Sequence, residues 1–366
     1  MAKKIASSSS TPKDKIKVGI VGAKFAADFH TDAYSRNDRV EVAAIADINQ
    51  DNLKVYCDKW KVKDTYTDYK EMLKRDDLDL ISICAPNFLH HEVAMECIKA
   101  GKHAVCEKPL ATDVAAAREM VAAARKAGVK LLYAEDWVYA PALKRVIELI
   151  NEGGIGQVLY VKARECHNGT HSPFAKNKKT CGGGSMIHLA IHPIGWILHL
   201  IGDQGKNKVT EVAAMINGGA EQNYVHKTNG GEDFSMGMMK FANGVHAFVE
   251  GNYITVGGMR DNVEVYGSEG NIHVDMTMGS PISLYSRPGV AYTIEKTDNT
   301  LGWTRPAVDE FYNLGYVHEL AAFVECVRTG SDPLWGCSAE AGLACLEIID
   351  AMYKSAAEKK TVTGNW

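Results

Sequence analysis

Two histidines four residues apart, His188 and His192, stand in the run Gly182-Gly-Gly-Ser-Met-Ile-His188-Leu-Ala-Ile-His192. On a helix that spacing places both imidazoles on one face, a turn apart. An imidazole titrates near neutrality, so it can take a hydroxyl proton as a bond to carbon breaks. Two imidazolium ions so close repel, and the pair would tend to carry one proton at most. A divalent metal could draw on the same pair with Glu135, Glu165, His167 or His171, but the spacing alone is nonspecific and no metal is assigned. Near the start, Gly19-Ile-Val-Gly22-Ala-Lys24-Phe25-Ala26-Ala27 reads as a tight turn from strand into helix. That is where a dinucleotide pyrophosphate rests on helix amides. Lys24 stands where the usual pattern has its middle glycine, and could crowd the phosphate or pair with it. Asp47, at the tip of the next strand, can accept both ribose hydroxyls of an adenosine and would repel a 2′-phosphate, which favours NAD over NADP.

The elements that must carry these groups follow from periodicity. Short apolar runs at 17–22, 40–46, 78–84, 103–106 and 130–134 alternate with helical stretches at 25–34, 49–60, 90–100 and 114–127. Strand and helix in strict alternation imply right-handed crossovers and a parallel sheet covered on both faces. The first 14 residues, serine-rich and polar, read as a disordered tail, and residues 15–136 as a doubly wound Rossmann domain of α/β class. After Asp136 the pattern changes. A helix at 142–152 leads into strands at 157–164, 209–216, 234–241, 246–252 and 261–266, with turn signals at Ala242-Asn-Gly244 and Gly267-Ser-Glu-Gly270. Helices at 316–329 and 338–357 end the chain. Residues 137–366 therefore form an α+β domain with a large, mostly antiparallel open sheet, expected to bind substrate and to oligomerise.

Two further segments resemble the Gfo/Idh/MocA family, named for glucose–fructose oxidoreductase and inositol dehydrogenase. They are Ala85-Pro86-Asn87-Phe-Leu-His90-His-Glu and Ala100-Gly-Lys-His-Ala-Val-Cys-Glu107-Lys108-Pro109-Leu. Later landmarks agree, among them Gly153-Gly-Ile-Gly-Gln-Val158, Gly182-Gly-Gly184 and Glu264-Val-Tyr-Gly-Ser-Glu-Gly270. The resemblance runs from Lys15 to about Val362 and implies a two-domain, NAD(P)-dependent oxidoreductase acting on sugars, polyols or their derivatives. By match, Lys108 would contact the reacting oxygen, where an ammonium stabilises developing negative charge. Ala85, Pro86, Asn87, His90, Glu107 and Lys108 itself would lie along the cofactor with Gly22, Lys24, Phe25, Ala26 and Asp47. His192 matches the family histidine and would act as general base. His188 stands where the family has an aspartate, and is expected to assist.

Substrate contacts are expected from Glu135, Trp137 and Tyr139 at the domain junction and from His167 and His171 in the loop after the first strand of the second domain. The expected reaction is oxidation of a secondary hydroxyl of a sugar, inositol or glycoside to a ketone, with NAD taking the hydride. A redox-neutral glycosidase or lyase working through a transient keto-sugar, and a non-catalytic nucleotide or sugar sensor, remain open at this stage. In the 366 residues, Lys and Arg total 41 against 45 Asp and Glu, leaving no basic excess for nucleic acid. Nine scattered cysteines read as reduced thiols, and no apolar run approaches membrane-spanning length. A cytoplasmic homodimer or homotetramer with a small carbohydrate substrate is the expectation.

Overall fold

The computed structural model describes residues 14–366, so the expected tail lies, but for Asp14, outside the described residues. The first sheet comprises β1 (Ile16–Val21), β2 (Val40–Ala46), β3 (Asp64–Tyr66), β4 (Leu80–Ile83), β5 (His103–Glu107) and β6 (Leu131–Ala134). Its order is β3-β2-β1-β4-β5-β6, with every neighbouring pair parallel. The strand order reverses at β1 and β4, which opens a crevice at their carboxyl ends. Residues of β4 and β6 are buried throughout, as a sheet covered on both faces requires. β3 escaped the sequence reading because it is a three-residue edge strand whose Asp64 and Thr65 are exposed, so no apolar alternation marks it.

The crossover helices are delimited by local chemistry. The Asn49 side chain accepts from the amides of Asp51 and Asn52 to start Gln50–Trp60, and Asp113 accepts from Ala116 to start Val114–Ala127. One face of the sheet is completed from the far end of the chain. Leu320, Phe323 and Val324, on the inner stripe of the helix Tyr316–Thr329, share a core with Ile16, Val18 and Ile20.

The second sheet holds β7 (Val158–Cys166), β8 (Val209–Ile216), β9 (Phe234–Phe241), β10 (His246–Asn252), β11 (Arg260–Gly267) and β12 (Asn271–Asp275); β13 (Leu284–Ser286) and β14 (Gly302–Thr304) pair by themselves, and β15 (Val362–Thr363) closes one edge. The large sheet runs β12-β11-β7-β10-β9-β8-β15, antiparallel except where β10 meets β7. Burial alternates along β9, β10 and β11, so one face packs on the helices Ile191–Ile201 and Ala339–Glu358 while the other is open. Leu159, Met215 and Met238 stand exposed on the sheet. No single helix among the described residues is long and apolar enough to cross a membrane.

The glycine run 182–184 has a packing reason. A Cβ on Gly184 would lie 2.3 Å from the backbone N and O of Glu232. The Glu232 carboxylate accepts from Gly184 N (3.1 Å), Met186 N (3.0 Å) and the Tyr353 hydroxyl (2.7 Å), which fixes the start of the short helix Ser185–His188. Gly184→Ala should therefore force backbone apart and cost about 3 kcal/mol. A urea titration is expected to show a clearly lowered midpoint.

Candidate active site

The nucleotide end of the crevice is set by β1 and β2. Gly22 has φ +98°, and a Cβ there would meet the Cys84 carbonyl at 2.5 Å, so the turn passes against the end of β4 only because Gly22 has no side chain. Lys24 is extended (φ −124°, ψ −154°) and its side chain is exposed, so the substitution of the middle glycine strains nothing. Asp47 ties the two strand ends together: Oδ2 accepts from Ala23 N and Oδ1 from Asn49 N, both at 2.8 Å. Its carboxylate stays on the cavity wall beside Gly22, Lys24, Phe25 and Ala26.

From there a cavity of about 910 Å³ runs between the two sheets to the histidines. Ala85, Pro86 and Asn87 line it, and Asn87 Nδ2 donates to the Cys181 carbonyl at 2.9 Å, linking the halves. His90 is fully buried, its ring nitrogens 2.7 Å from Pro109 O and 2.9 Å from Ala85 O. It lines the cavity while bracing the loops that carry Pro86 and Lys108. Glu107 meets His30 Nε2 at 2.9 Å and accepts from Lys108 N at 3.1 Å. The Lys108–Pro109 peptide is cis, and Lys108 Nζ donates to the His188 carbonyl at 2.7 Å.

His188 and His192 do not share one helix face, contrary to the expectation from spacing. His188 ends the helix Ser185–His188, and a second helix, Ile191–Ile201, begins after Leu189 and Ala190 with its axis turned by 52°. Pro193 is the cause: it has no amide for Leu189 O, and its ring would clash with that carbonyl in a continuous helix. The imidazoles consequently have separate partners. His188 Nδ1 hydrogen-bonds the Tyr253 hydroxyl. His192 stacks beside Trp137, with ring centroids 6.0 Å apart and planes at 16°. Its Nδ1 hydrogen-bonds Glu135 Oε1 at 2.7 Å with Asp136 Oδ1 3.1 Å away, and its Nε2 faces Glu165 Oε2 at 3.6 Å.

These surroundings separate the two rings electrostatically. Burial, followed by the nearby Lys108 ammonium, holds His188 well below the ordinary histidine range. Burial also pushes His192 downward, but Glu135, Glu165 and Asp136 together outweigh it and raise the ring well above that range. Glu135 in turn is pushed up to about 7 by burial, against the pull of His192. The two imidazoles are thus shifted in opposite directions. Glu135, Asp136 and His192 bring three possible metal-ligand atoms within 4.8 Å, but these atoms are already engaged with one another.

Trp137, His167 and His171 line the cavity. His167 is buried with Nδ1 lacking a partner among the described residues, whereas His171 is exposed near the Phe25 ring. Glu135, expected to touch substrate, is instead fully buried behind His192 and does not line the cavity. Tyr139 is a correction: it belongs to the core under the first sheet, packed on Phe323 and accepting from Leu334 N at 3.3 Å, because the chain has already left the cleft after the turn Asp136–Val138.

Several lining residues were not picked out from the sequence as substrate contacts. Glu165 and Asp261 sit opposite each other on β7 and β11. Each occupies the inward phase of its strand, in step with Val161 and Ala163 or with Val263 and Val265, and a carboxylate in that phase was the legible signal. Glu295 and Lys296 come from a loop with no periodicity to read. Their charged atoms are 3.8 Å apart, and burial raises Glu295 to about 7 and lowers Lys296 to about 8.

A doubly wound sheet with a glycine turn at its crevice, and a lysine and histidine converging from the two halves of the chain, define an NAD-binding oxidoreductase. The chain belongs to the Gfo/Idh/MocA oxidoreductase family. Residues 16–135 match its NAD-binding Rossmann fold and residues 147–363 its C-terminal alpha/beta domain. It is similar to myo-inositol 2-dehydrogenase of Thermotoga maritima, 24% identical over 95% of this chain and 98% of the relative. D-glucoside 3-dehydrogenase of Escherichia coli is 25% identical over 95% and 97%. The crystal structure of GenD2 from gentamicin A biosynthesis, in complex with NAD, superposes with a TM-score of 0.88 at 25% identity, covering 98% of each chain.

Replacing Glu135 by Gln removes the leading charge that raises His192. Its pKa should fall toward or below the ordinary histidine value, a shift read by NMR titration of the ring nitrogens.

Proposed function

We propose that this protein oxidises a secondary hydroxyl of a sugar, inositol or glycoside to a ketone, with His192 as proton acceptor and Lys108 stabilising the oxyanion. The observation that carries this reading is the convergence of Lys108, from the end of β5, with His188 and His192 at one end of the cavity, Lys108 Nζ lying 2.7 Å from the His188 carbonyl. The relatives named for inositol and glucoside dehydrogenation support the substrate class. The turn at Gly22, which only a residue without Cβ can make, together with Asp47 and the wall at Ala85–Asn87, fits NAD. The chemistry NAD supplies when bound is acceptance of the hydride.

The chain's own residues do the rest. The His192 proton at Nδ1 lies against Glu135, which leaves Nε2 directed at the cavity to take the hydroxyl proton. The Lys108 ammonium stabilises the oxygen as it gains charge. His188, neutral and held by Tyr253, offers a hydrogen bond without adding a second positive charge. His192 must be deprotonated to act in oxidation, and its raised pKa places the acid limb of the oxidation profile above that of an ordinary histidine. We take residues 15–136 as the nucleotide domain and 137–366 as the substrate domain. We further propose homo-oligomerisation through the open sheet face around Leu159, Met215 and Met238, which light scattering would test. A cytoplasmic location fits nine free cysteines.

The test is NADH formation over a panel of sugars, inositols and glycosides, with the ketone identified by mass spectrometry. Lys108→Met should lower kcat/KM by about 10²–10³ while NAD affinity stays within a few fold. In Glu135→Gln the acid limb of the oxidation profile should move to lower pH. Substrate loss without net NADH would replace this reading with a redox-neutral one.

A further inference from the structure

The inner end of the cavity carries more carboxyl groups than the proposed oxidation uses. Asp136, Glu165, Asp261 and Glu295 line it with Lys296 and His192. Asp261 is fully buried with neither carboxylate oxygen partnered among the described residues, and Glu165 Oε2, also buried, is likewise without a hydrogen bond. The two residues are direct cross-strand neighbours, an arrangement in which like charges repel. Of the cations close by, only His192 reaches the pair, its Nε2 3.6 Å from Glu165 Oε2, and none of them pairs with Asp261. Lys296 lies 3.8 Å from Glu295, His192 is bonded to Glu135, and Lys108 donates to the His188 carbonyl. A neutral hydroxyl would leave two desolvated carboxylates facing each other, whereas an ammonium supplies three donors and the opposite charge.

We propose that Asp261 and Glu165 hold an ammonium group, so that the substrate is an amino-substituted sugar or cyclitol. This rests on the dehydrogenase reading. Glu165 Oε2 lies 3.6 Å from His192 Nε2, which puts the amine close to the reacting carbinol, on the same carbon ring. Burial and the facing Glu165 raise Asp261 well above the usual carboxylate range, the state expected of a site that a cation relaxes. The chemistry of the pair favours an ammonium over a metal ion, since the donors that could add to a metal shell, Glu135, Asp136 and His192, already hold one another.

The experiment is calorimetric titration of the full-length protein with NADH present and EDTA added. The probes are matched pairs differing only in an amine for a hydroxyl: scyllo-inosamine with scyllo-inositol, glucosamine with glucose, and 3-amino-3-deoxyglucose with glucose. At least one amine should bind about tenfold or more tightly than its partner. Asp261→Asn should bring that pair to near parity, the amine losing about tenfold more affinity than its hydroxyl partner. Glu165→Gln serves as an independent second variant, and a thermal melt of each checks folding. Absence of any amine preference overturns the proposal, as does a preference that survives both substitutions or appears only when a divalent metal is restored. The binding readout does not need hydride transfer. NADH from neutral sugars without amine preference sinks this inference alone, and amine preference without NADH from any probe sinks the oxidation.

Discussion

The buried contact between His192 and Glu135 is the constraint around which the two halves are organised. Both side chains are out of water and 2.7 Å apart, one at the end of β6 and the other on a helix of the second half. Removing two such groups from water costs several kcal/mol each, and only close geometry with further polar neighbours offsets it. Those neighbours are present. Asp136 lies at 3.1 Å, Trp137 stacks on the imidazole, and the Cys337 thiol contacts the Glu135 carbonyl. The helix approaches closely at Gly195, where a Cβ would lie 3.1 Å from the Glu135 side chain, tighter than an ordinary contact. The electrostatic environment of His192 is thus inseparable from the packing of one half of the chain against the other.

The same dry surroundings explain why neighbouring histidines shift in opposite directions. Without carboxylates beside it, a buried imidazole is held below its ordinary range, as His188 and His167 are. With three carboxylates around it, His192 is raised above that range. His188 adds a hydrogen-bonding group to the cavity, and Glu165 and Asp261 add carboxyl groups from the sheet. These carboxyl groups stand on strands, which are stiffer than the loops at 167–171 and 295–296 that border them.

Much of this architecture follows from local rules. The positive φ at Gly22, the caps at Asn49 and Asp113 and the period-two alternation along β9 to β11 are short-range steric and hydrogen-bonding effects, readable from neighbours in sequence. Asp47, Lys108 and Pro86 could be placed at strand ends because the strands themselves were legible. The errors have equally local causes. β3 is too short and too polar to show a pattern, and the His188–His192 spacing is helical in period although Pro193 breaks the helix between them.

By itself the sequence determined the order of strands and helices, the family, the glycine turn at the crevice and the identity of the lysine and histidine, since each depends on residue type and near neighbours. The tertiary structure alone decided which partner sets the charge of His192, that Tyr139 turns into the core, and that Asp261 faces Glu165 beside Lys296. Those outcomes depend on electrostatic and packing contacts between groups far apart in the chain, with energies set by burial and distance. Neither quantity exists until the two sheets have closed on one another.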